Sequence, residues 1–423
     1  MIDIIKLLKK NDQITDYKVN FQSTASYESF YVRGKLETVR ATDTEDATVT
    51  VYVDGDGVKG DSSFSVYASM TEQEVENKIL AAATRAKLVK NKPYDIPSGD
   101  KTEVAIPSNF TNYEPAELAK RIAKAVEKAD SYKNGSINAL EIFIYKEKSS
   151  VVNSRGVDKT QTRYRAMIEA IPTWTEGGES VELYEAYHFT ELDQDTIIKE
   201  IDERMREVRD RRIAVKPQPC TANVVLPARE VSRLVGEIAD TLDFYSVYAH
   251  ANVFKKGDDV QKDRTGDSID VTMCHEIEGS RFSAVFDGDG VTLKDKKIID
   301  NGVVASYYGS HRFGSYLGEE VTGNLRCIRL EKGTLTEEEI EKAPYFECVS
   351  LSGLQLDLYN DYIGGEIRLA YYFDGEKKIP VTGISMSAKL SDVLKNIRLL
   401  NKTKVTDNYE GPAKALLSDV AIV

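Results

Sequence analysis

Apolar and polar residues alternate through Val49, Val51 and Val53, and Phe64 and Val66 repeat the period, which is that of a half-buried strand. The segment from Asp16 to Ser69 therefore reads as strands. At Thr71 the period changes. Thr71 and Glu74 form a capping-box signature, each side chain satisfying a free backbone donor at a helix start. Val75, Ile79, Ala82, Ala86 and Val89 follow at helical spacing and predict one buried stripe. A polar, Pro-containing stretch from Lys92 to Asn112 separates this unit from the next. A second helix is predicted from about Glu114 to Asp130. Strands follow near Ala139 to Tyr145, Lys159 to Ile171 and Val181 to Phe189. A third helix starts near Asp195 and buries Ile197, Ile201, Met205 and Val208. Short turns between the strands favour an antiparallel α+β layout over a doubly wound parallel sheet.

Lys216-Pro217-Gln218-Pro219 is the best linker, because closely spaced prolines halt both helix and sheet. It divides the chain into residues 1–215 and 216–423. Past it, a helix over Ala228 to Leu242 precedes a long β-rich region. From Phe286 to Asn324 the expected order is a turn (Asp287 to Gly290), a strand ending at Ile299, a tight Asp300-Asn301-Gly302 turn, a second strand and a Thr322-Gly323-Asn324 turn. Asp374-Gly375 marks a further hairpin. The expected fold is α+β in two domains. The N-terminal domain is an antiparallel sheet with helices on one side. The C-terminal domain is β-rich, able to curl into a barrel or a sandwich.

A chain of 423 residues is too long for one ordinary core, which agrees with two domains. A hydrophobic fraction of 41% with 30% charged residues describes a globular protein. The formal charge of −13 repels phosphate at long range and argues against direct nucleic acid contact. No apolar run reaches about 18 residues, so no transmembrane helix and no membrane partner are predicted. The first residues (MIDIIKLLKKNDQ) read as a short amphipathic helix without the build of a signal peptide. Cys220, Cys274, Cys327 and Cys348 form no CxxC pair and no disulfide framework, which suits a reducing cytoplasm.

Several motifs have a plain structural reading. Gly55, Gly57 and Gly60 satisfy GxGxxG, but a strand follows where a phosphate site needs a helix, and Asp54 and Asp56 would repel phosphate. Asp54 to Gly57 and Asp287 to Gly290 lack the ligand spread of a calcium loop and read as tight turns. His275-Glu276 follows an alternating run and is expected on a strand, with no histidine at the spacing of a zinc helix. His311 reads as solvent-facing or structural. Arg204, Arg206, Arg209, Arg211 and Arg212 interleave with Glu203, Glu207 and Asp210 as a solvated, self-paired helix face. Tyr307, Tyr308 and Tyr316 suit either packing or peptide contacts. GxSxG and Walker A patterns do not occur.

The order of elements from Phe286 to Asn324 resembles the TldD/PmbA family, historically labelled modulators of DNA gyrase. The resemblance extends through Gly34 to Glu37, the Val51 to Ser69 hairpin and the Thr71 helix. It resumes in Gly333 to Glu341, Tyr371 to Glu376, Ile379 to Val381 and Leu390 to Ile397, spanning about residues 20 to 405. Catalytic members of that family carry HExxxH on a helix after the domain junction and a late cysteine ligand. The equivalent helix here resembles Leu226 to Leu234. Arg229 stands at the first histidine position, Glu230 at the glutamate and Leu234 at the second histidine, and the late cysteine segment reads Tyr409-Glu410-Gly411-Pro412. Arginine presents only donors and leucine has no ligand atom, so no zinc site is expected at these degenerate positions.

The chain thus resembles the metal-free TldE/PmbA branch. The resemblance implies no catalytic residue, no metal and no cofactor of its own. It also implies a TldD-like metallopeptidase subunit as partner, and unfolded peptides or peptide precursors as substrate of the pair. The partner-facing surface could also pair with itself, giving a homodimer in isolation. Two alternatives stand beside this reading. One is an independent metallopeptidase with displaced ligands drawn from His250, His275, His311 and Glu230. The other is a regulatory protein acting on gyrase.

Overall fold

The computed structural model describes residues 2–423. After the short helix α1 (Ile4–Lys9) come the strands β1 (Asp16–Val32), β2 (Lys35–Gly55) and β3 (Val58–Tyr67), then α2 (Glu72–Ala86). β4 (Lys101–Ala105) and α3 (Pro115–Ala129) precede β5 (Gly135–Asn153), β6 (Asp158–Glu176), β7 (Glu179–Glu182) and β8 (Glu185–Phe189), and α4 (Gln194–Ile213) follows. These strands form one eight-stranded sheet in the order β3-β2-β1-β5-β6-β4, with β7 and β8 on β6. All its pairings are antiparallel except β4 with β6, which is parallel. β4 lies inside the stretch from Lys92 to Asn112 that was expected to be a mere separator. Its alternation is short and polar, so the pattern alone did not mark it.

The sheet is one-sided in the way its sequence alternation demands. On one face, Val19, Val49 and Val51 pack under α1 and α2. Ile142, Ile168 and Ala170 on the same face pack under α3 and α4. The capping box at Thr71 forms in both directions. The α2 stripe ends at Ala86, however, and Val89 lies beyond the helix and is exposed. The GxGxxG segment is a hairpin turn plus a close approach. Asp56 and Gly57 both take positive φ between β2 and β3. A Cβ on Gly60 would stand 1.8 Å from the Ala86 carbonyl oxygen, so glycine is needed for α2 to reach β3.

The remaining elements form two further sheets. β9 (Cys220–Pro227) leads into α5 (Ala228–Thr241) and α6 (Phe244–Tyr248). β10 (Val271–Cys274), β11 (Lys296–Asp300), β12 (Val303–Val304), α7 (His311–Leu317), β13 (Cys327–Leu330) and α8 (Glu337–Ile340) follow. Then come β14 (Tyr345–Asp357), β15 (Tyr362–Phe373), β16 (Lys378–Val381), β17 (Ile384–Lys389), α9 (Leu390–Asn396), β18 (Arg398–Leu399), β19 (Thr403–Thr406), β20 (Tyr409–Pro412) and β21 (Lys414–Ile422). One sheet runs β12-β11-β10-β13-β20-β19. The other runs β14-β9-β21-β17-β15-β16, and β14 also pairs β15, so five of its strands close into a ring. The expected turn at Asp300 to Gly302 forms, with Asn301 and Gly302 at positive φ. The Phe286–Asn324 segment also contains α7, a helix where the turn-and-strand reading had placed none.

Near the junction of the eight-stranded sheet with the rest lies a buried ionic network. Asp16 accepts hydrogen bonds from Arg155 at 3.1 and 3.0 Å, from Ser154 at 2.7 Å and from Lys59 at 3.1 Å. Lys59 is 2% exposed and also reaches Asp54. Burial alone would raise the Asp16 pKa, but Arg155, Ser154 and Lys59 together hold it below the usual range. Asp16→Ala is expected to lower stability by about 3 kcal/mol at pH 7, because Lys59 loses a buried partner. A depressed carboxylate stabilises above its unfolded pKa and loses that contribution as pH falls through the folded value. The difference between wild type and variant in urea midpoints should therefore shrink below about pH 4.

Candidate functional site

α5 begins directly at the end of β9, where Pro227 sits in extended conformation as the residue before the helix. Val231, Leu234, Val235, Ile238 and Ala239 form its buried stripe, and they enter the largest apolar core together with residues from both C-terminal sheets. The stripe is what sets the rotation of α5. Leu234 is fully buried in that core, so the position carries packing and offers no donor atom.

Glu230 is on the first turn of the same helix and is 5% exposed. Its Oε2 accepts no hydrogen bond, and the nearest cation, Arg233, is 3.6 Å away. Burial raises its pKa, while Arg233 and Arg229 pull it back only in part. The Cys348 thiol is also buried and is pushed up, by burial first and then by Glu230. β20 packs against α5 and pairs with β13 and β19. The segments that the family resemblance singled out, Arg229 to Leu234 and Tyr409 to Pro412, are therefore neighbours in space. Tyr409 is fully buried, and Glu410 is bound by Arg329 at 2.8 Å.

This donor set does not fit a zinc ion. It offers one buried carboxylate, a guanidinium and an aliphatic side chain, and zinc requires three or four nitrogen, sulfur or oxygen ligands. Nor does the fold gather the displaced candidates. His275 lies just past β10, off the strand it was expected to occupy, and its Nδ1 is 2.6 Å from Asp295. His311 opens α7 and contacts the Asp95 carbonyl oxygen at 2.8 Å. His250 follows the end of α6 at positive φ. Among the described residues, no three His, Cys, Asp or Glu side chains converge as a metal site.

The turn motifs are internally satisfied. Asp287 accepts from the backbone of Asp289, Val291 and Asn324 at 2.9 to 3.0 Å, which leaves no open calcium ligand there. The arginine cluster on α4 pairs with acids as expected, Arg206 with Asp202 and Arg212 with Glu179. It is not all solvated, though. Arg204 is largely buried between Glu207 and Glu185, because α4 packs its flank against the sheet. Tyr308 is buried, and the Tyr316 hydroxyl donates to the Lys92 carbonyl at 2.7 Å, so both serve packing. One row of functional interest escaped the sequence reading. Lys159, Gln161, Arg163 and Arg165 alternate along β6 and share the face opposite the helices. Their period of two was the available signal.

Glu230→Gln is expected to raise stability by roughly 1 kcal/mol at pH 8, since an ill-paired buried charge is removed. A carboxyl group with a raised folded pKa costs stability only as pH rises above its unfolded value. The gain should therefore vanish below about pH 4, as read from thermal unfolding of the two proteins across pH.

Residues 219–423 match the model of the PmbA/TldA metallopeptidase C-terminal domain. No curated protein sequence matches the chain. Among solved structures, TldE from Thermococcus kodakarensis superposes with a TM-score of 0.80 at 15% identity, covering 100% of this chain and 99% of that one. A protein from Thermotoga maritima, provisionally described as a modulator of a DNA gyrase, gives 0.78 at 16% identity, covering 99% and 98%. One from Bacteroides thetaiotaomicron with a similar description gives 0.81 at 15%, covering 99% and 97%. At such identities these neighbours speak for a shared fold over the whole chain. Residues 219–423 thus match the PmbA/TldD C-terminal domain family, and the chain as a whole shares the fold of TldE and of these two proteins.

Proposed function

We propose that this chain is the non-catalytic subunit of a two-component TldD/TldE-type metallopeptidase, acting with a partner that carries HExxxH. The observation that carries the reading is α5. At the positions where the resemblance puts zinc ligands, it has Arg229 and a core-packed Leu234, and only Glu230 of the motif remains. The likeness to TldE from Thermococcus kodakarensis supports the same branch. In this reading the chain forms part of the wall of a substrate chamber and helps to hold an unfolded peptide or a peptide precursor. The division at Lys216 to Pro219 separates two units, and four unpaired thiols suit the cytoplasm.

Co-expression with the HExxxH-bearing homologue of the same genome tests this. The expected result is a stable heteromeric complex with peptidase activity that neither chain shows alone. This chain, purified without chelator, should hold less than about 0.1 equivalent of zinc. No association with that homologue, or near one equivalent of metal in the isolated chain, would sink the reading.

A further inference from the structure

A cleft of about 240 Å³ opens between the outer face of β6 and the loop at residues 276–283. Arg163, Arg165 and Glu147 line it on the sheet side, and Ser280 and Arg281 on the loop side. The strand register explains the first group. Glu147 on β5 stands directly across from Arg163, and Tyr145 across from Arg165.

The charges within are unevenly matched. Among the described residues, Glu147 is the only carboxylate in ion-pair reach of the Arg163 and Arg165 guanidiniums, at 2.9 Å from Arg165 Nε but 3.6 Å from Arg163 Nη2. Arg165 also lies over the Tyr145 ring at 3.8 Å. Arg281 is occupied by Asp407 in a two-bond pair at 2.8 and 3.0 Å. Arg163 remains under-coordinated, and its buried Nε finds no acceptor. His188 on the adjoining β8 also has a buried, unpartnered Nδ1. Burial first, then Arg281, lowers its pKa, which disfavours a further positive charge beside the guanidiniums. A buried donor without an acceptor is costly, and a planar guanidinium fork matches a carboxylate. The acids Glu191, Glu276 and Glu278 are exposed at the mouth. They disfavour a doubly charged phosphate while tolerating a singly charged group on a neutral chain.

We propose that this cleft binds the carboxylate of a peptide, with Arg163 as the receiving guanidinium. The proposal rests on the reading that the chain handles peptides. It adds where the chain would hold one, and by which group. The carboxylate could be the peptide's C-terminus or an acidic side chain, and the probes below separate the two.

The test is calorimetric titration of the intact chain at low salt with three peptides: N-acetyl-pentaalanine as free acid, the same peptide as C-terminal amide, and the amide with a central aspartate. The free acid is expected to bind about tenfold more tightly than the plain amide. If the aspartate peptide matches the free acid, the cleft takes carboxylates from either source. If it matches the plain amide, the cleft reads the C-terminus. Arg163→Gln should abolish the preference, and Arg163→Lys should keep part of it as a point charge. Equal affinity of wild type for free acid and plain amide overturns the proposal without recourse to a variant. So does the absence of binding by all three peptides. In either case, complex formation with the HExxxH homologue would still stand as a separate result.

Discussion

The molecule depends on a polar seam along β6. A strand with one face under helices and the other against a second unit must divide its residues by parity. β6 sends Ala166, Ile168 and Ala170 to the helical side. It sends Lys159, Gln161, Arg163 and Arg165 to the other. Buried polar groups need partners, so this face can dock only where partners are supplied. Gln161 accepts from the Val285 backbone at 3.1 Å and donates toward the Phe286 carbonyl at 3.5 Å. Lys159 reaches Thr292 at 2.6 Å. Apolar contact beside these bonds comes from Val151, Val157 and Phe286 with their neighbour Val285, and from the Tyr94 ring set edge-on to Tyr316 at 5.6 Å. Directional bonds therefore help to set how β6 meets the segment at residues 285–292.

The segment after α2 straps the same junction. The Lys92 and Asp95 carbonyl oxygens receive Tyr316 and His311. Arg155 holds Asp95 and Asp16 together. Where this bonding gives out, toward Arg163 and Arg165, the seam widens into the cleft. A seam built on specific hydrogen bonds leaves unmet donors wherever the two surfaces part, and that is the physical origin of the candidate site.

α5 shows how packing and chemistry compete for one helix. Its apolar stripe needs Leu234 in the core, and the same rotation carries Glu230 into a low-dielectric position without a matched partner. With zinc ligands, such a helix could direct its buried polar groups at a metal. With Leu234 and Arg229 it cannot, and Glu230 remains as a buried acid at a cost in stability. Its proximity to β20 brings the two family-marked segments together in a region whose carboxylates, Glu230 and Glu410, do not make up a zinc ligand set.

Much of the fold was legible because it depends on local rules. The capping box at Thr71, the stripes of α2 and α4, the positive-φ turn at Asn301-Gly302 and the one-sided sheet all follow from periodicity and backbone sterics. The ligand-poor motif at Arg229, Glu230 and Leu234 was also readable, since residue identity alone excludes metal donors. Other features required the tertiary structure. β4 is a strand only because β6 offers it a parallel edge. α7 forms where a turn-and-strand pattern was equally consistent, and Gly60 is fixed by a helix that lies more than a turn away in sequence. The unbonded Oε2 of Glu230 and Nε of Arg163 are likewise invisible in a string of residues. Burial and hydrogen-bond satisfaction are properties of what surrounds a side chain, and those surroundings come from strands and loops distant in the sequence.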